Sequence, residues 1–147
     1  MFLRFFIYGA MGWCGEIIWT ATTRRISARV QNWLLMGETS LWAFPMYGSA
    51  AFLYEPLHDA LRSQFFLMRA VVYLIGFWAV EYIGGWLVWK IAGTKPWDYS
   101  MAPGGSLSGL IRWNFVFVWP IVGLALEPIH DFLVRVTPDL LRALGMS

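Results

Sequence analysis

Long apolar runs alternate with short polar stretches along the 147 residues of the chain. About 20 consecutive apolar residues cross the roughly 30 Å hydrocarbon core of a bilayer as a helix, so the pattern predicts a membrane protein. The four longest runs are expected to be helices over about residues 2–23, 40–54, 70–91 and 111–126. The segments 33–36 and 57–68, together with the tail to Ser147, are expected to lie along the membrane surface.

Prolines and glycines mark the predicted ends of these segments. Glu55 and Glu127 each precede a proline, and the residue before a proline is biased away from the helical conformation. We therefore expect helix breaks at Glu55–Pro56 and Glu127–Pro128. The stretch 93–108 is rich in Gly, Pro and Ser and is expected to be a loop.

Three motifs of the first half recur in the second. GWCGEIIW resembles AVEYIGGWLVW, PMYG resembles PIVG, and EPLHDAL resembles EPIHDFL. Two helices per repeat would give both halves one orientation and a pseudo-two-fold axis along the membrane normal. The predicted fold is an all-α, four-transmembrane-helix bundle of two parallel helix-pair repeats. It forms a single integral membrane domain over 1–147, with repeat one at about 1–68 and repeat two at about 69–147.

Composition supports this fold and narrows the partners. The chain is 59% hydrophobic, and its ten Trp suit the aromatic belts at the two membrane surfaces. A net charge of +2 gives no reason to expect a nucleic-acid partner. We expect a cell-membrane protein that contacts lipid and either a second copy of itself or another membrane protein. Six of the 11 basic residues, among them Arg24, Arg25 and Arg29, flank the loops after helices one and three, which favours a cytoplasmic location for these loops.

The motifs GWCGEIIWTA, LWAFPMYG, E-x-x-GGW and PWDYS together resemble a family of small membrane proteins. It is the ABC-transporter type IV family, also called CmpB-like, with the vertebrate transmembrane protein 229 group. The likeness covers about Gly9 to Leu133. It implies a transporter-related protein, and it implies that four acids belong to the family pattern: Glu16, Glu55, Glu81 and Glu127. His58 and His130 fall outside that pattern.

Glu16 and Glu81 are acids within predicted membrane helices. Such residues are costly in a bilayer and are usually paired or functional. Each lies on a stripe of small residues that would let another helix approach: Gly9, Gly12, Thr20 and Thr23 beside Glu16, and Gly84, Gly85 and Val88 beside Glu81. The two acids are interpreted either as structural hydrogen-bonding groups or as a facing pair that responds to protons or cations.

A second acid layer is predicted from two E-x-x-H motifs, Glu55 with His58 and Glu127 with His130. Two such motifs and two further glutamates are the ligand inventory of di-iron bundles. At about 1.5 Å per residue, however, the layers lie roughly 10 Å apart, too far for shared ligands. We expect no metal and no cofactor, and the ordinary alternative is a surface helix break with exposed histidines.

The PWDYS motif also has two interpretations. In the structural one, Asp98 bonds the backbone two residues on, while Trp97 and Tyr99 anchor the loop at the membrane surface. In the functional one, this loop and Arg112 cover a cavity above the two glutamates, with Gly104–Gly105 as a flexible joint.

These observations favour a transporter- or channel-like protein in which Glu16 and Glu81 bind a proton, cation or polar ligand. The alternatives are an accessory or assembly protein whose acids only lock the helices, and a di-metal carboxylate membrane enzyme. The sequence contains no nucleophile–base arrangement in a convincing context, so no catalytic residue is predicted and a non-enzymatic role is favoured.

Overall fold

The computed structural model describes residues 1–27 and 33–146, and for residues 24–27 it describes the backbone alone. Arg29 and the side chains of Arg24 and Arg25, on which the predicted orientation depends, lie outside the described residues. The described chain is mostly helical and contains α1 (Phe2–Ser27), α2 (Ala43–Gly48), α3 (Ala50–Leu61), α4 (Phe66–Ala92), β1 (Ser106–Leu107), β2 (Ile111–Arg112), a 3-10 turn (Trp113–Val116) and α5 (Val118–Ala143).

The chain divides into two compact units, Met1–Ala51 and Phe52–Ser147. The boundary falls within α3, seventeen residues before the expected border between repeats at residue 68. The single domain and its two repeats stay predictions.

In the first unit, α1 and α2 pack closely because glycines face aromatic rings. A Cβ at Gly9 would lie 2.8 Å from the ring of Phe44, and one at Gly12 would lie 2.1 Å from Cγ of Tyr47. Trp13 completes this contact, with its ring 4.7 Å from that of Phe44. The prediction that small residues near Glu16 allow another helix to approach is therefore confirmed for Gly9 and Gly12, but not for Thr20 and Thr23.

The predicted helix break at Glu55–Pro56 is wrong. A separate short helix, α2, ends at Gly48, and α3 then runs through Pro56 to Leu61. Pro56 is exposed, and its missing N–H removes one helical hydrogen bond. The opposite face of α3 is buried and holds the helix together. Segment 57–68 is consequently not a separate piece, because its first residues end α3 and its last ones begin α4. Its location at the membrane surface stays a prediction.

The third predicted helix is present as α4, which begins four residues earlier than expected. Its end is fixed by Gly93, whose φ is 75° and whose N–H donates to the carbonyl of Trp89. Glycine is the usual residue at this left-handed position. Among the described residues, two helices are long and apolar enough to cross a membrane, Phe66–Ala92 and Trp113–Ala143. Most of each apolar window is not buried within the chain, which supports a membrane protein; the four-span bundle stays a prediction.

The fourth predicted helix begins later than expected. Ile111 and Arg112 form β2, which pairs antiparallel with β1 so that Arg112 lies opposite Ser106. Ser108 and Gly109 turn the chain between the strands with positive φ angles of 54° and 73°. The all-α prediction is thus corrected by one small hairpin, although the rest of 93–108 is irregular as expected.

The predicted break at Glu127–Pro128 is also wrong, because α5 continues to Ala143 through Pro128 and Pro138. Both prolines are exposed, whereas His130, Leu133 and Thr137 are buried along the other side of the helix. Their three- and four-residue spacing is that of one helical face. The expected surface tail is therefore largely the second half of a continuous helix.

Candidate functional site

Glu16 is held by hydroxyl groups in the first unit. Thr39 donates to its Oε2 at 2.6 Å, and the Tyr47 hydroxyl lies 3.3 Å from the same oxygen. Thr20, predicted to bind a ligand with Glu16, instead accepts the backbone N–H of Glu38 at 2.8 Å. Thr20 therefore fixes the chain that returns along α1, and the carboxylate of Glu16 is bonded to α2 and the segment before it.

Glu81 lies in the middle of α4 and is only 8% exposed. Its Oε2 accepts the indole N–H of Trp119 at 3.2 Å, and the Trp119 ring stacks on Phe77 with centroids 5.2 Å apart. In the described part of the chain, no arginine, lysine or histidine forms an ion pair with this carboxylate. Its described partner is thus a neutral donor on α5.

The small residues after Glu81 contact the loop that follows α4. A Cβ at Gly85 would lie 3.0 Å from Cζ2 of Trp97 and 3.1 Å from a methyl group of Leu110. The Trp97 indole donates to the carbonyl of Leu110 at 2.9 Å. Gly85 and Trp97 are therefore in contact, as parts of the packing between α4 and the loop, while Gly84 is half-buried on the same helix.

The remaining predicted loop residues stabilise the loop itself. Asp98 accepts the backbone N–H of Ser100 at 2.9 Å, which confirms the predicted bond two residues on. The Ser100 hydroxyl, its N–H and the charge of Lys95 lower the pKa of Asp98. The ring of Phe115 contacts Tyr99 and lies 5.5 Å below the guanidinium of Arg112. Coverage of a cavity by this loop stays a prediction.

Gly104 and Gly105, the predicted joint, have φ angles of 90° and 83°. Residues with a side chain rarely adopt such angles, so both glycines are needed for the turn itself. The amide of Asn114 bonds the carbonyl of Pro103 at 3.2 Å and ties this turn to the chain after β2.

The second acid layer lies inside the second unit. His58 and His130 are each 2% exposed, and their ring centroids are 4.9 Å apart. Their expected exposure at the membrane surface is wrong because both helices continue through their prolines and turn the histidines inward. Glu55 is likewise buried, at 3% exposure, rather than at a surface break.

A line of polar contacts starts at Glu127. Arg69 pairs with its Oε2 at 3.2 Å, and the Tyr73 hydroxyl donates to its Oε1 at 3.0 Å. The same hydroxyl lies 2.9 Å from Nδ1 of His58. Burial, and after it the charge of Arg62, lowers the pKa of His58 and favours its neutral form. Glu127 is thus already engaged, which argues against a di-metal site built on four glutamates.

A second set of contacts centres on Asp131. Arg62 binds both of its carboxylate oxygens, with one distance of 3.0 Å, and also lies 3.2 Å from Asp59. Nδ1 of His130 is 3.1 Å from the Asp131 carboxylate. The turn directly after α3 is therefore joined to α5 by an ion pair between Arg62 and Asp131, beside the two histidines.

Sequence reasoning missed several of these residues: Arg62, Arg69, Tyr73, Trp119 and Asp131. A signal existed for Asp131, since the repeated EPxHD motif places an acid directly after each histidine. Tyr73 gave none, because Glu127, which accepts its hydroxyl, is 54 residues away.

The whole chain was compared with known proteins. Residues 3–144 match the family described as "Putative ABC-transporter type IV". The chain belongs to this family. Membership in the ABC-transporter type IV family confirms the resemblance carried by the glutamate and PWDYS motifs, and it agrees with a transporter-like membrane protein. The likeness to the transmembrane protein 229 group stays a prediction. No solved structure matches the chain.

Proposed function

We propose that this protein of the ABC-transporter type IV family is transporter- or channel-like, and that Glu81 and Glu16 each bind a proton, a cation or a polar ligand inside the membrane. The surroundings of Glu81 carry the proposal. A buried carboxylate on an apolar helix is unstable as a bare anion, and one indole N–H does not neutralise it. A bound proton or cation would remove that charge.

Glu16 supports the proposal in a different way. Its carboxylate accepts two hydroxyl groups, which orient it without supplying positive charge. The mid-membrane depth of both acids is part of the proposal. The contacts described above are structural for the other residues predicted to bind a ligand: Thr20, Gly85, Trp97, Asp98, Tyr99 and Arg112.

The test is ion movement in proteoliposomes that contain the full chain. Proton entry would be followed with an internal pH dye under separate Na⁺, K⁺ and pH gradients. Glu81→Gln keeps an oxygen that accepts the Trp119 N–H but removes the charge, and Glu16→Gln does the same for Thr39. We expect both variants to lose most of the flux. Asp139→Asn, which changes an exposed acid at the end of α5, is the matched control and should retain it.

Flux that is unchanged in both glutamine variants would overturn the proposal. The absence of flux above that of protein-free liposomes under all three gradients would also count against it.

The second candidate is an accessory or assembly membrane protein in which the acids only lock the helices. It is favoured by the bonds from Thr39 and Tyr47 to Glu16, which join α1 to α2 and the segment before it. In that case the glutamine variants would lower stability and oligomer yield, with no ion-dependent signal to lose. Both proposals include self-association or a membrane-protein partner. Both also place the loops after helices one and three in the cytoplasm.

A further inference from the structure

A group of nitrogen and oxygen atoms suited to a metal lies beside the ion pair of Arg62 with Asp131. We infer that His58, His130 and Asp59 form a binding site for one divalent transition-metal ion. This site is separate from Glu16 and Glu81 and differs from the four-glutamate arrangement weighed from the sequence.

The hydrogen bonds of His58 determine which of its nitrogens is free to bind. Glu127 is paired with Arg69, so it is ionised and can only accept hydrogen bonds. The single hydroxyl hydrogen of Tyr73 must therefore point to Glu127. Nδ1 of His58, 2.9 Å from the same hydroxyl, must then be the donor. In the neutral imidazole, this leaves a lone pair on Nε2, which lies 3.7 Å from a carboxylate oxygen of Asp131, an atom that cannot donate to it.

His130 reaches the same state by another route. Asp131 is ionised because Arg62 binds both of its oxygens. Nδ1 of His130 lies 3.1 Å from this carboxylate and donates to it. Nε2 of His130 therefore also carries a lone pair. A carboxylate on the far nitrogen is the common second-shell support of a metal-binding histidine.

Both Nε2 atoms are buried and have no hydrogen-bond partner among the described residues. Buried acceptors without a donor are unfavourable. A ring nitrogen of each histidine and one carboxylate oxygen of Asp59 all lie within 4.8 Å of one another. An ion that binds Asp59 and the Nε2 atom of each histidine would satisfy the orphaned lone pairs.

The distances require only a small contraction. Ligands about 2.1 Å from a tetrahedral Zn²⁺ lie about 3.4 Å from each other, so the longest separation must shorten by roughly 1.4 Å. Asp59 is exposed, and its ion pair with Arg62 is exposed too, so little free energy holds the carboxylate there. It can leave Arg62, rotate inward and give the ion a route from solvent.

Charge and donor type indicate the class of ion. With neutral histidines, the charges of three carboxylates (Asp59, Glu127 and Asp131) and two guanidinium groups (Arg62 and Arg69) sum to −1, which favours a cation. Two imidazoles and one carboxylate suit Zn²⁺ and its first-row neighbours, whereas Mg²⁺ and Ca²⁺ prefer oxygen ligands. Three protein ligands leave a fourth position open, as in sites where the ion binds water or another ligand.

Zn²⁺ is the probe for the test. The full chain, purified in detergent and stripped with a chelator, would be titrated calorimetrically with Zn²⁺ and separately with Mg²⁺. X-ray absorption at the zinc edge would count the imidazoles around the bound ion. We expect one Zn²⁺ per chain with two imidazole ligands, and no comparable Mg²⁺ binding.

Variants then assign the ligands. Asp59→Asn alters an exposed side chain and should weaken Zn²⁺ binding at least tenfold, whereas Asp139→Asn should not. His58→Gln and His130→Gln should each abolish binding, with folding checked by circular dichroism. A stripped protein that takes up no Zn²⁺ overturns the inference, as does a bound ion whose absorption spectrum shows no imidazole. Equal Zn²⁺ affinity in wild type and Asp59→Asn would remove Asp59 from the site.

Discussion

Trp97 lies against Gly85: a Cβ on this glycine would be 3.0 Å from Cζ2 of the indole. The ring has little room to withdraw, because its N–H is bonded to the carbonyl of Leu110 and Leu110 itself touches the same glycine. The loop after α4 can therefore pack closely on this helix because Gly85 has no side chain.

Gly85→Leu should consequently destabilise the protein by about 1–3 kcal/mol, the usual penalty for overpacking a close contact. Stability would be measured by SDS-induced unfolding of the detergent-solubilised protein. Gly15→Leu is the matched control, since nothing lies within 4 Å of a Cβ at Gly15 and leucine is the better helix former. Equal loss of stability in both variants would contradict the proposed close contact.

Tyr73→Phe removes the hydroxyl shared by His58 and Glu127. It leaves one buried donor and one acceptor unpaired, so the free energy of unfolding should fall by about 1–3 kcal/mol. Tyr82→Phe, on the same helix, removes a hydroxyl with no described hydrogen bond and should change it by less than about 0.5 kcal/mol. The same unfolding assay compares the two, and a neutral Tyr73→Phe would show that the hydroxyl is dispensable.

The ion pair of Arg69 with Glu127 is mostly buried, with side chains 19% and 16% exposed. Arg69→Met leaves the carboxylate without its partner and should cost about 3–5 kcal/mol. Adding Glu127→Gln removes that charge while retaining an acceptor for Tyr73, so the double variant should recover part of the loss. Arg135→Met, at an exposed position of α5, is the control and should be nearly neutral. A double variant less stable than Arg69→Met would argue against an uncompensated charge.

The pH dependence of the loop follows from Asp98. Its folded-state pKa is lowered below the ordinary value of 3.8, first by the Ser100 hydroxyl and backbone N–H. Its contribution to stability is therefore complete above pH 3.8 and is lost as the pH falls through the lower folded value. Carboxyl-carbon NMR of the protein in nanodiscs should give a midpoint below 3.8, and Ser100→Ala should move it upward. A midpoint at or above 3.8 in the wild type would contradict the described bonds.

Hydrophobic patterning identified where α1 and α4 lie but not how the other helices end. The reason is visible at Pro56 and Pro128. Local preference disfavours a helix before proline, yet a proline on the exposed side loses only one hydrogen bond while the opposite face stays packed. Whether that face is packed depends on residues far away in the sequence. The β2 strand was missed because its register is set by the turn at Ser108–Gly109, which gives no apolar signal.

The candidate site could be predicted only where its chemistry was local. Glu16, Glu81 and the two E-x-x-H motifs stand out as polar residues among apolar ones. Their partners do not, since Thr39 and Trp119 are ordinary residues until the fold brings them near an acid. The interpretation of His58 and His130 changed because their helices are continuous. Both were predicted to be surface residues, but they are buried next to each other.

The contact of Trp97 with its helix has a consequence for the order in which the chain assembles during synthesis. Trp97 and its acceptor Leu110 are 13 residues apart, whereas Tyr73 and Glu127 are separated by 54. Closing a short segment restricts the chain less than closing a long one. A nascent chain can thus complete the loop on α4 before α5 leaves the ribosome, and proteolysis of arrested chains would reveal this order as early protection of the loop.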